Sequence, residues 1–151
     1  MKTIDLVSVD RRSDVSLSLL VDKITERYSS PARENFSAVI NNVNARLRLS
    51  IDENLIGSII SSLLKVMVMH SRHGLIIVSA KELYGKMIEF NIKDENCCNT
   101  YGIALSLQDV VPLAEKAGGR LNILNRKQKI TTVSFSFPLT GEEEKPGLSF
   151  L

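Results

Sequence analysis

The sequence predicts a two-layer α/β (α+β) sandwich, a mixed sheet with three main helices on one face. Three observations predict it. Short β-rich segments alternate with segments of helical period, so strands and helices interleave along the chain. Each helical segment carries one apolar stripe, so each buries one face and covers one side of a sheet. Two pairs of β-rich segments are separated by turn-sized spacers, which gives antiparallel hairpins within that sheet.

Residues 4–9, Ile-Asp-Leu-Val-Ser-Val, read as a first strand, which the following Asp-Arg-Arg-Ser-Asp cannot extend. From Asp14, the spacing of Leu17, Leu20, Ile24 and Tyr28 predicts a helix over 14–28, ended by Ser30-Pro31. Phe36 to Val43 and Leu47 to Ile51 are apolar, β-branched and broken by asparagines, hence strand and extended connection. Ser50-Ile-Asp-Glu53 matches a capping box ahead of a helix over 52–71, where Leu55, Ile56, Ile59, Ile60, Leu63, Leu64 and Met67 form a wide stripe. Gly74 ends it. Leu75 to Ala80 and Met87 to Lys93 make a hairpin around Leu83-Tyr-Gly-Lys86. A helix over 104–117 stops at Gly118-Gly119, and 121–124 and 132–137 form a last hairpin around Arg126-Lys-Gln-Lys129. There is no internal repeat. Residues 1–140 are one domain, and 141–151 read as a loosely ordered tail.

Composition narrows the function classes. The 151 residues carry 19 Lys+Arg against 17 Asp+Glu, a formal net charge of +2. With 44% hydrophobic and 24% charged residues the chain is an ordinary globular one, and wholesale disorder is excluded. The bases are dispersed, whereas a nucleic-acid footprint gathers them on one face, so no nucleic-acid partner is expected. The longest apolar run, Leu55 to Met69, is interrupted by glycine, serines and Lys65 and falls short of the roughly 20 residues of a spanning helix. No membrane insertion is expected. The amino terminus lacks a signal peptide's apolar stretch, and the only cysteines, Cys97 and Cys98, are adjacent. This predicts a cytoplasmic, reducing location and two reduced thiols. His70 and His73 stand three apart near a helix end without a third ligand, so they read as helix-terminus histidines and not as a metal site. Serine-triad, phosphate-loop and zinc-cysteine spacings are absent from the sequence.

Residues 102–107 read Gly-Ile-Ala-Leu-Ser-Leu, followed by a helix, by Gly118-Gly119-Arg120-Leu121, and by Thr131-Thr132-Val-Ser-Phe-Ser-Phe-Pro138-Leu139. Upstream stand Ile51-Asp-Glu-Asn-Leu55 and Ile92-Lys-Asp94. In this order the segments resemble the ATP-binding (HATPase, GHKL or Bergerat-type) catalytic domain of sensor histidine kinases, over roughly residues 4–139. The resemblance implies that domain's fold and a nucleotide site between the 52–71 helix and the loop after Asp94. The cofactor-binding residues it implies are Asp94, which would accept from the adenine amino group, with Gly102, Ser62 and Thr132; Thr131 is the neighbouring threonine.

The same resemblance implies that the site has decayed. Where the family's helix carries its magnesium-holding asparagine, this chain has Val66, and an isopropyl group offers a hard cation no oxygen. The earlier asparagine is Ser62. The family's Asp-x-Gly-x-Gly stands here as Asp94-Glu95-Asn96-Cys97-Cys98, without either glycine, and Ala104 replaces another. Only residues 95–101 remain where the family has a mobile lid. No catalytic residue, metal ligand or cofactor is therefore assigned, and the cleft is expected to be shallow or closed, its loop packed through Cys97, Cys98 or Tyr101. The function implied is a degenerate ATPase domain working as a protein-interaction module in two-component-like signalling, on a helical phosphotransfer hairpin, a response regulator or a second copy. Two alternatives remain open at this point. One is a catalytic domain that binds ATP and magnesium and phosphorylates a histidine elsewhere; the other is an anti-sigma-factor-like or dimerisation module.

Overall fold

The structure, a computed structural model, describes residues 12–139 except 98 and 128. Eleven elements follow in chain order: β1 (Arg12–Ser16), α1 (Leu17–Glu34), β2 (Ala38–Asn41), β3 (Arg48–Asp52), α2 (Glu53–Met69), β4 (Leu75–Leu83), β5 (Met87–Asp94), α3 (Thr100–Leu107), α4 (Val111–Lys116), β6 (Arg120–Arg126) and β7 (Ile130–Pro138). Five strands form one sheet in the order β2-β4-β5-β7-β6. Only β2 and β4 are parallel, joined by the crossover through α2, and the other neighbours are antiparallel. The mixed sheet and its helical layer are those the sequence predicts.

Period-two alternation turns one face of the sheet into the core. Ile76 and Val78 of β4, Ile88, Phe90 and Ile92 of β5, and Val133, Phe135 and Phe137 of β7 are all buried on it. Against them pack Leu17, Leu20, Val21 and Ile24 of α1 and Ile56, Ile59, Ile60, Leu63, Leu64 and Met67 of α2. The opposite face is mixed: Ser134 donates to Asn91 at 2.6 Å and Lys81 pairs with Glu89 at 3.5 Å, beside the apolar Ile77 and the exposed Ile40 and Leu124. Both hairpins form as predicted, the first turning at Gly85 and Lys86 with φ of 79° and 62°.

Several boundaries differ from the sequence reading. The strand expected at 4–9 and the tail at 141–151 lie outside the described residues. Arg12–Ser16, spanning the end of the Asp10–Asp14 run read as unable to extend a strand and the start of the helix expected over 14–28, is β1, paired with β3 in a separate two-stranded ribbon. A ribbon needs few inward side chains: in β1 only Val15 is buried, and Asp14 pairs across with Arg48 at 3.1 Å. α1 starts after the Ser16 cap and runs through Pro31 to Glu34. A proline near the end forfeits one amide, and the last turn is held by Asn35, whose backbone N–H donates to Ala32 and whose side chain donates to Val68 of α2 at 3.1 Å. α2 is capped by Asp52, which accepts from Leu55 N at 3.2 Å; Ser50, the cap expected from the capping box, lies within β3. The expected 104–117 helix is two helices. α3 begins earlier, capped by Asn99, and α4 restarts at Val111-Pro112, where proline suits a first turn.

Candidate functional site

Alternation along β5 carries one residue too far into the core. Ile88, Phe90 and Ile92 face inward, so Asp94 does too, and its carboxylate is fully buried. Oδ1 accepts from Asn96 N at 3.0 Å, and Oδ2 has no hydrogen-bond partner among the described residues. Burial pushes the carboxyl above the ordinary carboxylate range; the hydrogen bond from Asn96 and the nearby Ser71 hydroxyl pull the other way, and the charge of Glu95 adds to the rise. The Ser71 hydroxyl is itself paired with Ser37 at 2.8 Å, and Ser37 Oγ accepts from Gly74 N at 3.0 Å. A side chain at Gly74 would strike both Asp94 and Ser71.

The loop after Asp94 is bound to the end of α2 by two asparagines. Asn96 Nδ2 donates to the carbonyls of Arg72 and His73 at 3.1 and 3.2 Å. Asn99 contacts His70 Nδ1 at 3.1 Å and caps α3 at Gly102 N, also at 3.1 Å. His70 Nε2 reaches Ser106 of α3 at 3.4 Å. Between them lies a pocket of about 270 Å³ lined by His70, Arg72, Asn96 and Asn99. Small-molecule sites usually span about 300–1,000 Å³. Larger concavities, about 430 Å³ between α1 and α2 and about 630 Å³ along α1 and Val39, share no lining residue with it.

The implied site residues separate. Asp94 and Gly102 flank the pocket's loop. Ser62 lines the α1–α2 groove instead. Thr132 pairs with Lys93 in the register that leaves the core, whereas Thr131 pairs with Asp94 and is buried. Thr131 Oγ1 lies 2.8 Å from Thr100 Oγ1, and Asn125 donates to both, at 2.7 Å to Thr100 and 3.0 Å to Thr131. Val66 is half-buried and packs on the core cluster. Cys97 is a buried free thiol and Cys98 is outside the described residues. Packing of the loop through Tyr101 does not occur: that residue is 76% exposed, and Asn96 and Asn99, which sequence reading passed over, hold the loop by hydrogen bonds. His70 and His73 have different partners, His73 stacking on Phe36 at 5.1 Å. No group of three or more His, Cys, Asp or Glu side chains is gathered as for a metal among the described residues. Of the two asparagines passed over, Asn99 had a faint signal, since it precedes a helix as a cap does.

No protein-family model and no curated protein matches the chain. Solved structures do. A nucleotide-free catalytic domain of the histidine kinase ThkA superposes with TM-score 0.69 at 14% identity, over 86% of this chain and 97% of that one. The fold is that of the histidine kinase catalytic domain. Acinetobacter baumannii histidine kinase AdeS gives TM-score 0.71 at 10% identity, covering 91% of this chain and 73% of that one. Full-length ShkA in complex with AMPPNP gives 0.72 at 19% identity, with 84% of this chain matched to 31% of that one. Among the described residues no helix is long and apolar enough to cross a membrane.

Proposed function

We propose that the chain is a histidine-kinase-type ATPase domain with lost or weak ATP binding, serving as a cytoplasmic protein-interaction module in two-component-like signalling. The observation that carries this reading is the bolted loop: Asn96 and Asn99 are tied to the residues that end and follow α2, where the resemblance implies an opening for nucleotide. Val66 supports it. Magnesium needs oxygen ligands at close octahedral geometry, and the half-buried valine at the implied position supplies none, so the residues present do not fit a magnesium nucleotide. The partner proposed is a helical phosphotransfer hairpin or a response regulator. ThkA has been solved in complex with the response regulator TrrA, and this chain exposes the apolar side chains Tyr101 and Leu105 one turn apart on α3.

A second reading, an ATP-binding catalytic domain, is favoured by one feature: the unpartnered, buried Oδ2 of Asp94 is an acceptor of the kind an adenine amino group would use. Calorimetric titration with ATP, with and without magnesium, separates the two. The interaction module shows no magnesium-dependent heat; micromolar, magnesium-dependent affinity, about 8 kcal/mol, establishes the second reading instead.

A further inference from the structure

The five-stranded sheet ends on two edges of different kinds. β2 is four residues long, and Asn41 at its end folds back onto α1, donating to Ser18 O at 3.0 Å and to Asp22 at 2.7 Å. β6 is seven residues long and, among the described residues, pairs on one side only, with β7. Alternate residues of such a strand direct N–H and C=O outward, at the spacing a further strand would use.

Charge gathers on this longer edge. From Gly118 to Pro138 the chain carries four cations, Arg120, Arg126, Lys127 and Lys129, and no acid, although the whole chain has a net charge of only +2. Leu121 and Ile123 pack on the core, so Arg120, Asn122, Leu124 and Arg126 fall on the outer face, and all four are exposed. Opposite the two arginines, β7 places Ser136 and Ile130, neither of them a carboxylate. Six residues, about 20 Å of strand, separate Arg120 from Arg126, with the half-exposed Leu124 between them.

We infer that β6 takes up an extended acidic segment of a partner protein as a sixth strand of the sheet. A second copy of this chain does not suit the edge. Antiparallel self-pairing centred on Ile123 would set Arg120 of each copy opposite Arg126 of the other, and like charges directly opposite are destabilising. The same arginines would each meet a carboxylate in an antiparallel segment that is acidic at its first and seventh positions and apolar at its third, opposite Leu124. Single-stranded nucleic acid is also anionic, but it is held by stacking bases on aromatic rings, and the aromatic residues of this hairpin, Phe135 and Phe137, are buried. The edge is used in place of the exposed face of α3, and the inference holds whether or not the chain binds nucleotide.

Capped peptides titrated into the intact chain, followed through its amide shifts, test this. Glu-Thr-Val-Val-Thr-Val-Glu has the required pattern, and a second peptide replaces both glutamates with lysine. The acidic peptide is expected to bind about tenfold tighter, the effect of exchanging two exposed like-charge contacts for two ion pairs, and to lose the advantage in high salt. The double variant Arg120→Glu, Arg126→Glu is expected to reverse the preference. Two further peptides carry N-methyl groups on one or the other alternate set of amides of the acidic sequence. An added strand bonds through one set only, so one methylated peptide is expected to lose binding and the other to keep it. Equal binding of the acidic and lysine peptides, an unreversed preference in the double variant, or equal affinities of the two methylated peptides overturns the proposal. Dimerisation of the parent with protection of its β6 amides would assign the edge to a second copy, and tighter binding of an oligothymidylate at the same residues would assign it to nucleic acid; either result also overturns it.

Discussion

At the scale of single residues, Asp94 is held by geometry against its solvation preference. A carboxylate whose folded-state pKa is raised binds its proton more readily folded than unfolded, so folding gains stability as pH falls from the raised value toward the ordinary 3.8. The contribution runs opposite to that of a salt-bridged aspartate. Asp94→Asn keeps an oxygen for Asn96 N and removes the titration, so its unfolding free energy is expected to lack this acid-side gain and to equal or exceed the parent's at pH 7. Urea unfolding across pH 4–7 checks this; a variant with the parent's pH slope would mean that Asp94 does not titrate there. Gly102 makes a second case. Its resemblance to a nucleotide-loop glycine is one reason for glycine, and the Asn99 side chain 2.6 Å from a would-be Cβ is another. Gly102→Ala is expected to cost about 1–2 kcal/mol through displacement of the cap. Urea unfolding in the absence of any nucleotide measures it.

At the scale of elements, helix ends are set by whichever side chain lies nearest the open amides in space. Ser50 and Glu53 satisfy the spacing of a capping box, yet β3 continues through Ser50 to pair with β1, which leaves Asp52 to cap α2. Asp52→Ala is expected to lower stability by about 1 kcal/mol, while Ser50→Ala stays within about 0.5 kcal/mol of the parent. Equal losses in thermal unfolding would restore Ser50 as the cap. Within α2, Gly57 faces α1, and a methyl there would meet only Leu20 Cδ1, at 3.5 Å, an ordinary contact. Gly57→Ala is therefore expected to stabilise the protein by about 1 kcal/mol, read as a higher Tm. A fall in Tm would show that the two helices pack more tightly than this distance.

At the scale of the whole molecule, the sheet places the ends of β5 and β7 against the carboxyl terminus of α2, and the loop after Asp94 crosses that junction. With Val66 at the implied metal position and the loop bolted by asparagines, magnesium-ATP is expected to leave the parent Tm unchanged. The variant Val66→Asn, Asn96→Gly, Cys98→Gly returns an amide and two glycines. Removing Asn96 also surrenders its bonds to the Arg72 and His73 carbonyls, so this variant is expected to melt lower without ligand and to gain stability with magnesium-ATP. A shift in the parent as large as in the variant would show a competent nucleotide site.

Local pattern alone determined most of the architecture. The stripe from Leu55 to Met67 and the alternations through Phe90 and Phe135 specify α2, β5 and β7, because burying apolar area at a fixed period is the dominant and most local term in folding. The resemblance carried by Asp94, Gly102, Gly118-Gly119 and Pro138-Leu139 likewise placed the fold. Tertiary structure decided what depends on partners distant in sequence. β1 is a strand only because β3 lies beside it, Pro31 is tolerated because Asn35 finds Val68, and Thr131 and not Thr132 faces Asp94 through strand register. The contacts of Asn96, Asn99 and His70 span 23 to 36 residues of chain. Hydrogen bonds are short-ranged and directional, so an asparagine's partner is fixed by where the fold brings the chain together, and no periodicity along the sequence records it.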